Sequence, residues 1–251
     1  MSKTISIHSF LRGVGKSHIA ANVASVLALQ GKRVAVLDMN IYAPTLNLLF
    51  GLRSLDVKNS LTDYLFGRCT LDSAAYDITS SLGTKSKGKL YVIPAEGRSG
   101  EGALLLRKGY TVDQLGEGAH QLIRALNLDV LLIDNGAGLN QETMISIAIA
   151  DSLGVVLRLD KKDYQGTSLV LEIAKELSVP RATLIVNQAP SDYDLSEVKT
   201  KVLKAYHSDV AAVLPYSNEL ATLASDALFV VKYPQHSLTK LFKQVGEKLI
   251  M

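Results

Sequence analysis

The residues from Thr4 to Gln30, TISIHSFLRGVGKSHIAANVASVLALQ, constrain this chain more than any other stretch. A β-branched run at Thr4, Ile5 and Ile7 enters a turn that ends in Gly15-Lys16-Ser17. Apolar residues then recur at helical intervals at Ile19, Val23, Val26 and Leu27. That order predicts a strand, an anion-binding loop and a helix. Gly13 and Gly15 let backbone N–H groups turn toward an anion with no Cβ in the way. Lys16 sets a positive charge against phosphate oxygens, and the Ser17 hydroxyl suits Mg²⁺ ligation. The helix N-terminus adds its own partial positive charge. The full expression GxxxxGK[ST] is not met, because Phe10 stands at the first glycine position. A lone GKS tripeptide occurs often by chance, and its place between a strand and a helix is what gives it weight.

Two further strands end in carboxylates. Val34-Ala35-Val36-Leu37 runs into Asp38, and the wholly apolar Val130-Leu131-Leu132-Ile133, patterned like a buried parallel strand, runs into Asp134. Open α/β sheets bind ligands beyond the carboxyl ends of their strands, so both acids fall where a site is expected. With the heptad Leu11-Arg12-Gly13-Val14-Gly15-Lys16-Ser17, these residues resemble the MinD/ParA family of deviant phosphate-loop ATPases, whose loop reads KGGxGK[ST]; five of the seven positions fit. Asp134-Asn135-Gly136-Ala137-Gly138 is similar to the family's D-[ST]-P-A-G. Asn187 ends a strand where relatives hydrogen-bond adenine, and Pro215-Tyr216-Ser217 stands at the place of an I-P-x-D turn beside the base.

This resemblance covers nearly the whole chain. It implies an α/β, three-layer phosphate-loop NTPase fold over residues 1–251, with a mostly parallel twisted sheet of about seven or eight strands and helices on both faces. It also implies ATP or ADP as ligand, with Gly13, Val14, Gly15, Lys16, Ser17, His18, Asn187, Pro215 and Tyr216 as contacts. For His18, on the first turn of the helix, a structural role is the reading the residues themselves favour. Mg²⁺ would be held by Ser17, Asp38 and Asp134. Family members dimerise around two sandwiched nucleotides, bind a surface such as nucleoid DNA or membrane, and answer to a cognate partner protein. The expected location is therefore cytoplasmic, at or near such a surface.

The catalytic positions Lys16, Asp38, Asn40 and Arg12 include two departures. The family's signature lysine, which reaches the partner's phosphates, falls on Leu11, and the next glycine falls on Arg12, whose planar guanidinium is no simple substitute for an ammonium. The family's D-x-D reads Asp38-Met39-Asn40. An amide orients water but accepts no proton from it, so binding is expected to survive better than hydrolysis.

The remaining sequence sets bounds. The 251 residues, 47% hydrophobic and 20% charged, suit a single domain. The first residues lack a secretory pattern, and no run is apolar enough to span a bilayer. The single cysteine, Cys69, excludes an internal disulfide framework and argues against cysteine-pair cluster carriers. A net charge of +3 is compatible with an acidic partner without pointing to one. Thr84–Lys89 and Arg98–Gly102 read as polar loops, Asp160-Lys161-Lys162-Asp163 as a solvated cluster before a helix from Thr167, and Lys199, Lys201 and Lys204 as a wet helix face first and a DNA-facing patch second. Ser237–Ile250 has an apolar stripe for packing on the sheet rather than on a membrane. The resemblance, with Lys16, Ser17, Asp38 and Asp134 in place and departures at Leu11 and Asn40, implies a positioning ATPase of low turnover first and a nucleotide-bound, non-hydrolysing scaffold second. A metabolic kinase or ligase ranks third, since His8, His18, His120, His207 and His236 form no small-substrate constellation.

Overall fold

The computed structural model describes residues 2–83, 86–95, 101, 104–105, 109–223 and 226–251. Eight strands among them form one sheet: β1 (Lys3–Ser9), β2 (Arg33–Met39), β3 (Tyr76–Asp77), β4 (Lys89–Ile93), β5 (Val130–Ala137), β6 (Ser152–Leu157), β7 (Ala182–Ala189) and β8 (Val210–Pro215). Their order is β3-β4-β2-β5-β1-β6-β7-β8, with every neighbour parallel except the short edge strand β3. The central strands are buried on both faces, which is why they read as continuous apolar runs.

Alternation along each strand divides the core. Ile5, Ile7, Val36, Leu132 and Val156 point to the face covered by α1 (Lys16–Leu29) and by two helices near the end of the sequence. Ala35, Leu37, Leu131, Ile133 and Val155 point to the opposite face. Chain order then supplies α2 (Leu46–Leu49), α3 (Leu61–Leu65), α4 (Val112–Leu126), α5 (Gln141–Ala148), α6 (Lys161–Glu176), α7 (Leu195–Tyr206), α8 (Asn218–Leu223), α9 (Phe229–Lys232) and α10 (Ser237–Ile250). Helices α3 to α7 cover the second face. Helices α9 and α10 share the first with α1.

The apolar stripe of α10 enters the core, with Leu238, Phe242, Val245 and Leu249 buried against the face of α1. Gly246 faces Leu27 across the α1–α10 contact, where an added Cβ would meet the leucine at 3.2 Å. One expected boundary is corrected. The helix read from Thr167 begins at Lys161, and Asp160-Lys161-Lys162-Asp163 is its cap and first turn rather than a solvated connection. Asp160 accepts from the N–H groups of Lys162 and Asp163, both at 3.0 Å, which lets the helix start so early. Of the two expected polar loops, residues 84–85, 98–100 and 102 lie outside the described residues. Lys201 pairs with Glu197 at 2.7 Å, in keeping with the wet-face reading of α7.

Candidate functional site

The turn from β1 to α1 carries the site. Gly13 has φ +74° and Gly15 φ +91°, a left-handed backbone that side chains rarely adopt. Phe10 is absent from the positive-φ residues, so the missing glycine at that position leaves the turn intact. Gly15 also stands against Asn187: a Cβ there would fall 2.4 Å from Asn187 Nδ2, and that same amide donates to the Val14 carbonyl at 2.8 Å.

Helix α1 differs from its peers at its first turn. Helices α4, α5, α6, α7 and α10 each have a side chain accepting from first-turn N–H groups, supplied by Thr111, Asn140, Asp160, Asp194 and His236. At α1 the capping position is Gly15, which has no side chain to offer, and the first turn holds no acid. The first intrahelical bond is Ile19 N–H to Gly15 O at 3.0 Å, so the N–H groups of Lys16, Ser17 and His18 are left for another acceptor. Lys16 is buried, and its Nζ donates to Ser9 Oγ at 2.9 Å, while that hydroxyl donates to Leu11 O at 2.6 Å. Burial lowers the Lys16 pKa; the Asp134 and Asp163 carboxylates oppose the drop and the Arg12 guanidinium adds to it.

Strand register explains the paired acids. Asp38 and Asp134 are direct neighbours on β2 and β5, on the side facing α1, and each is 1% exposed. Asp38 accepts from Asn40 N–H at 2.9 Å and Leu46 N–H at 3.3 Å. Neither oxygen of Asp134 receives a hydrogen bond of ordinary geometry among the described residues. Burial pushes Asp134 up to about 7, with the neighbouring Asp38 adding to the rise and the nearby Ser17 hydroxyl and Lys16 ammonium restraining it. Asp38 is pushed up to about 6, also by burial, against the pull of its backbone donors. A buried carboxylate with open lone pairs beside a second one suits a hydrated divalent cation, with Ser17 completing the set. No group of three or more His, Cys, Asp or Glu side chains that could hold a metal ion gathers among the described residues.

A cavity of about 430 Å³ opens at the turn, lined by Arg12, Gly13, Lys16, Ser17, His18 and Asn40 among others; the buried Asp38 and Asp134 are not among its lining residues. Arg12 is exposed at its rim. Asn40 turns its amide back on its own loop, donating to Ala43 O at 2.6 Å. Beyond Gly15, a smaller cavity of about 170 Å³ is lined by His18, Asn187, Gln188, Pro215, Tyr216 and Leu220, which brings the expected base contacts together. Volume alone does not single out the site, since a groove of about 430 Å³ between α6 and α7 is just as large. That groove, lined by Tyr164, Val202 and Tyr206, has neither open helix amides nor paired acids.

The sequence singles out the run from Asp134 to Gly138 by its motif, but the contacts of several supporting residues were not foreseen from it. Asn135 is buried, donates to Ser6 Oγ at 2.6 Å and Ile7 O at 3.1 Å, and accepts from Ser146 Oγ, so one amide ties β5, β1 and α5 together. Gly138, at φ +84°, donates to Ser9 O at 3.1 Å and joins the loop after β5 to the phosphate-loop turn. Tyr42 donates to Glu142 at 2.9 Å, linking the loop after β2 to α5. Asp163 is buried and held by Arg158 Nε at 3.0 Å, although its sequence neighbours are all charged or polar. Its only local signal was an aspartate three residues after a capping aspartate.

Comparison with known proteins agrees with this arrangement. Residues 5–230 match the CobQ/CobB/MinD/ParA nucleotide binding domain. The chain is 27% identical over 258 residues to an uncharacterised ATP-binding protein of Methanocaldococcus jannaschii, covering all of this chain and 88% of that protein. The fold superposes on the septum site-determining protein MinD of Pyrococcus horikoshii, solved with Mg-ADP, with a TM-score of 0.81 at 21% identity over 99% of this chain and 96% of that one. It also superposes on MinD of Aquifex aeolicus from a MinC:MinD complex, with a TM-score of 0.78 at 18% identity over 99% and 96% of the two chains. An eight-stranded, mostly parallel sheet, an uncapped glycine turn at the first helix and a domain match over most of the length lead to one assignment: the chain is a divergent member of the MinD/ParA family of phosphate-loop ATPases.

Proposed function

We propose that this protein is an ATP-gated positioning switch that binds Mg-ATP in the cavity at the β1–α1 turn, dimerises around it and hydrolyses it slowly. The observation that carries this reading is Asp134, a carboxylate fully inside the protein whose oxygens accept no hydrogen bond of ordinary geometry among the described residues, next to Asp38 on the sheet face covered by the uncapped helix α1. Gly13, Val14, Gly15, Lys16, Ser17 and His18 would hold the phosphates through backbone N–H groups and the Lys16 ammonium. To do so Lys16 leaves Ser9 Oγ for a phosphate oxygen. Asn187, Pro215 and Tyr216 would border the base. Bound Mg²⁺ would offset phosphate charge, and Ser17, Asp38 and Asp134 are the residues placed to steady its hydration shell.

Slow turnover follows from the residues beside the reacting phosphate. Asn40 orients water without taking its proton, and its amide is already engaged with Ala43 O. Leu11 packs against the core beside α1 and carries no charge toward a partner. Arg12, exposed at the cavity rim, is the cation available for a second copy of the chain or its nucleotide. The engaged Asn40 favours a second reading, a nucleotide-bound scaffold that recruits a protein partner without hydrolysis.

Calorimetric titration with Mg-ATP, Mg-ADP and metal-free ATP tests the first reading. Binding of both nucleotides, weakened by chelating Mg²⁺, is the expected result; no heat with either Mg-nucleotide ends the nucleotide account. Phosphate release measured with DNA or anionic vesicles present separates the readings, since the scaffold gives none.

A further inference from the structure

Phe10 stands where the common phosphate-loop expression has its first glycine, and the fold gives its ring a seat. Gly166, in the second turn of α6, lies directly against it. A Cβ built on Gly166 would fall 2.2 Å from both Cγ and Cδ1 of Phe10 and 2.5 Å from Phe10 Cβ. Real atoms do not approach so closely, and these belong to the stem and near edge of the ring, which cannot swing aside like the tip of a long side chain. Gly166 has no positive φ to require glycine, and glycine is a poor helix former, so close approach is the physical reason for it. The ring joins the apolar cluster of β6, β7 and α6 around Val155 and Val170.

This seat bears on the site through the chain itself. Phe10 follows Ser9, the residue that holds Lys16 Nζ at 2.9 Å and whose carbonyl accepts from Gly138 N–H at 3.1 Å. The upstream leg of the turn is therefore held at three points: the ring on α6, the Ser9 hydroxyl on Lys16 and the Ser9 carbonyl on the loop after β5. Downstream, Asn187 holds Val14.

We propose that Phe10, seated on Gly166, is a positioning residue that fixes the upstream leg of the phosphate loop and, through Ser9, the place from which Lys16 meets the phosphates. Its consequence for Mg-ATP rests on the nucleotide reading above, whereas its consequence for loop order does not. The test compares the parent with Gly166→Ala, Phe10→Ala and the double variant. Two quantities are read: amide hydrogen exchange over residues 9–17 of the nucleotide-free protein, and affinity for Mg-ATP.

Gly166→Ala is expected to speed exchange in the loop and weaken Mg-ATP binding, each by about tenfold. The double variant should match Phe10→Ala alone, because without the ring the added methyl has room. A purely structural Gly166 would lower the melting temperature while leaving loop exchange unchanged. Parent-like exchange in Gly166→Ala, or a double variant worse than either single one, overturns the proposal. If the parent itself binds no Mg-ATP while Gly166→Ala still loosens the loop, the nucleotide reading falls and the seat of Phe10 stands. Should Gly166→Ala fail to fold, a folded double variant supports the proposal and an unfolded one overturns it.

Discussion

Helices α1 and α6 begin beyond the ends of adjacent strands, β1 and β6, and meet their surroundings in opposite ways. At α6, Asp160 satisfies two first-turn N–H groups, and the buried Asp163 is paired with Arg158. At α1, glycine takes the capping place, and the buried carboxylate Asp134 accepts no hydrogen bond of ordinary geometry among the described residues, with only the nearby Ser17 hydroxyl and Lys16 ammonium to offset its charge. One helix end is complete within the protein; the other is chemically open. The difference lies in a few side chains rather than in the fold, since both ends sit on the same edge of the same sheet. A doubly wound sheet offers many helix ends, and among the described helices of eight residues or more α1 is the one without a side-chain acceptor at its first turn, which leaves its N–H groups open to a ligand.

The comparison can be broken most severely at Gly15. Alanine there must adopt φ near +91° and would press on Asn187 Nδ2 at 2.4 Å. A left-handed alanine costs about 1–2 kcal/mol and a lost amide bond about 1 kcal/mol, so Mg-nucleotide affinity should fall on the order of 100-fold in a titration of Gly15→Ala. The same substitution at the open helix end should leave α6 and its cap unchanged in hydrogen exchange.

A pH series sharpens the contrast between the two buried acids. Asp38 and Asp134 both have pKa values raised by burial, so the nucleotide-free fold holds their protons to higher pH than the unfolded chain does. Their contribution is fullest below the ordinary carboxylate range near 4 and is lost as pH rises toward about 7. Asp134→Asn removes most of that loss. In Mg²⁺-free thermal melts the variant should match the parent near pH 4 and exceed it near pH 8, by on the order of 1–3 kcal/mol. The buried His8, pushed down to about 3 by burial and the nearby Lys16, has the opposite sign and loses stability as pH falls below about 6.5. It is present in both proteins and cancels in the difference. An equal effect at both pH values would contradict the account of Asp134 as an uncompensated charge.

The smallest effect is expected at the closed end. Asp160→Ala removes an N-cap and should cost about 1 kcal/mol of stability by denaturant unfolding, with Mg-nucleotide affinity unchanged. A loss of affinity there would mean that the two helix ends are less independent than their geometry shows.

What the sequence made legible was local chemistry. Gly13 to Ser17 carry their meaning in spacing, and the runs ending in Asp38 and Asp134 mark strand ends by composition alone. The opposing of those two acids is a fact of register, which strand order sets and no short window records. Asp163 was misread because Lys161 and Lys162 on one side and Tyr164 and Gln165 on the other imply water, while Arg158, five residues back, takes it inside. Phe10 and Gly166 touch across 156 positions and give no sign of it in sequence. The edge strand β3, two residues long, is defined by its pairing with β4 and has no apolar run of its own.

Asn187 closes the account of how this cavity is built. From the end of β7 it grips the Val14 carbonyl, 173 positions earlier in the chain, while its other side walls the cavity beside Pro215 and Tyr216. A single amide thus serves as hinge pin between two compartments. If the smaller one holds a base as proposed, that base would rest on the residue that also holds the Val14 carbonyl of the turn, so a change at this position would disturb the loop as well. On the proposed nucleotide reading, affinity for the two halves of the ligand is coupled through Asn187, and neither half is retuned there alone.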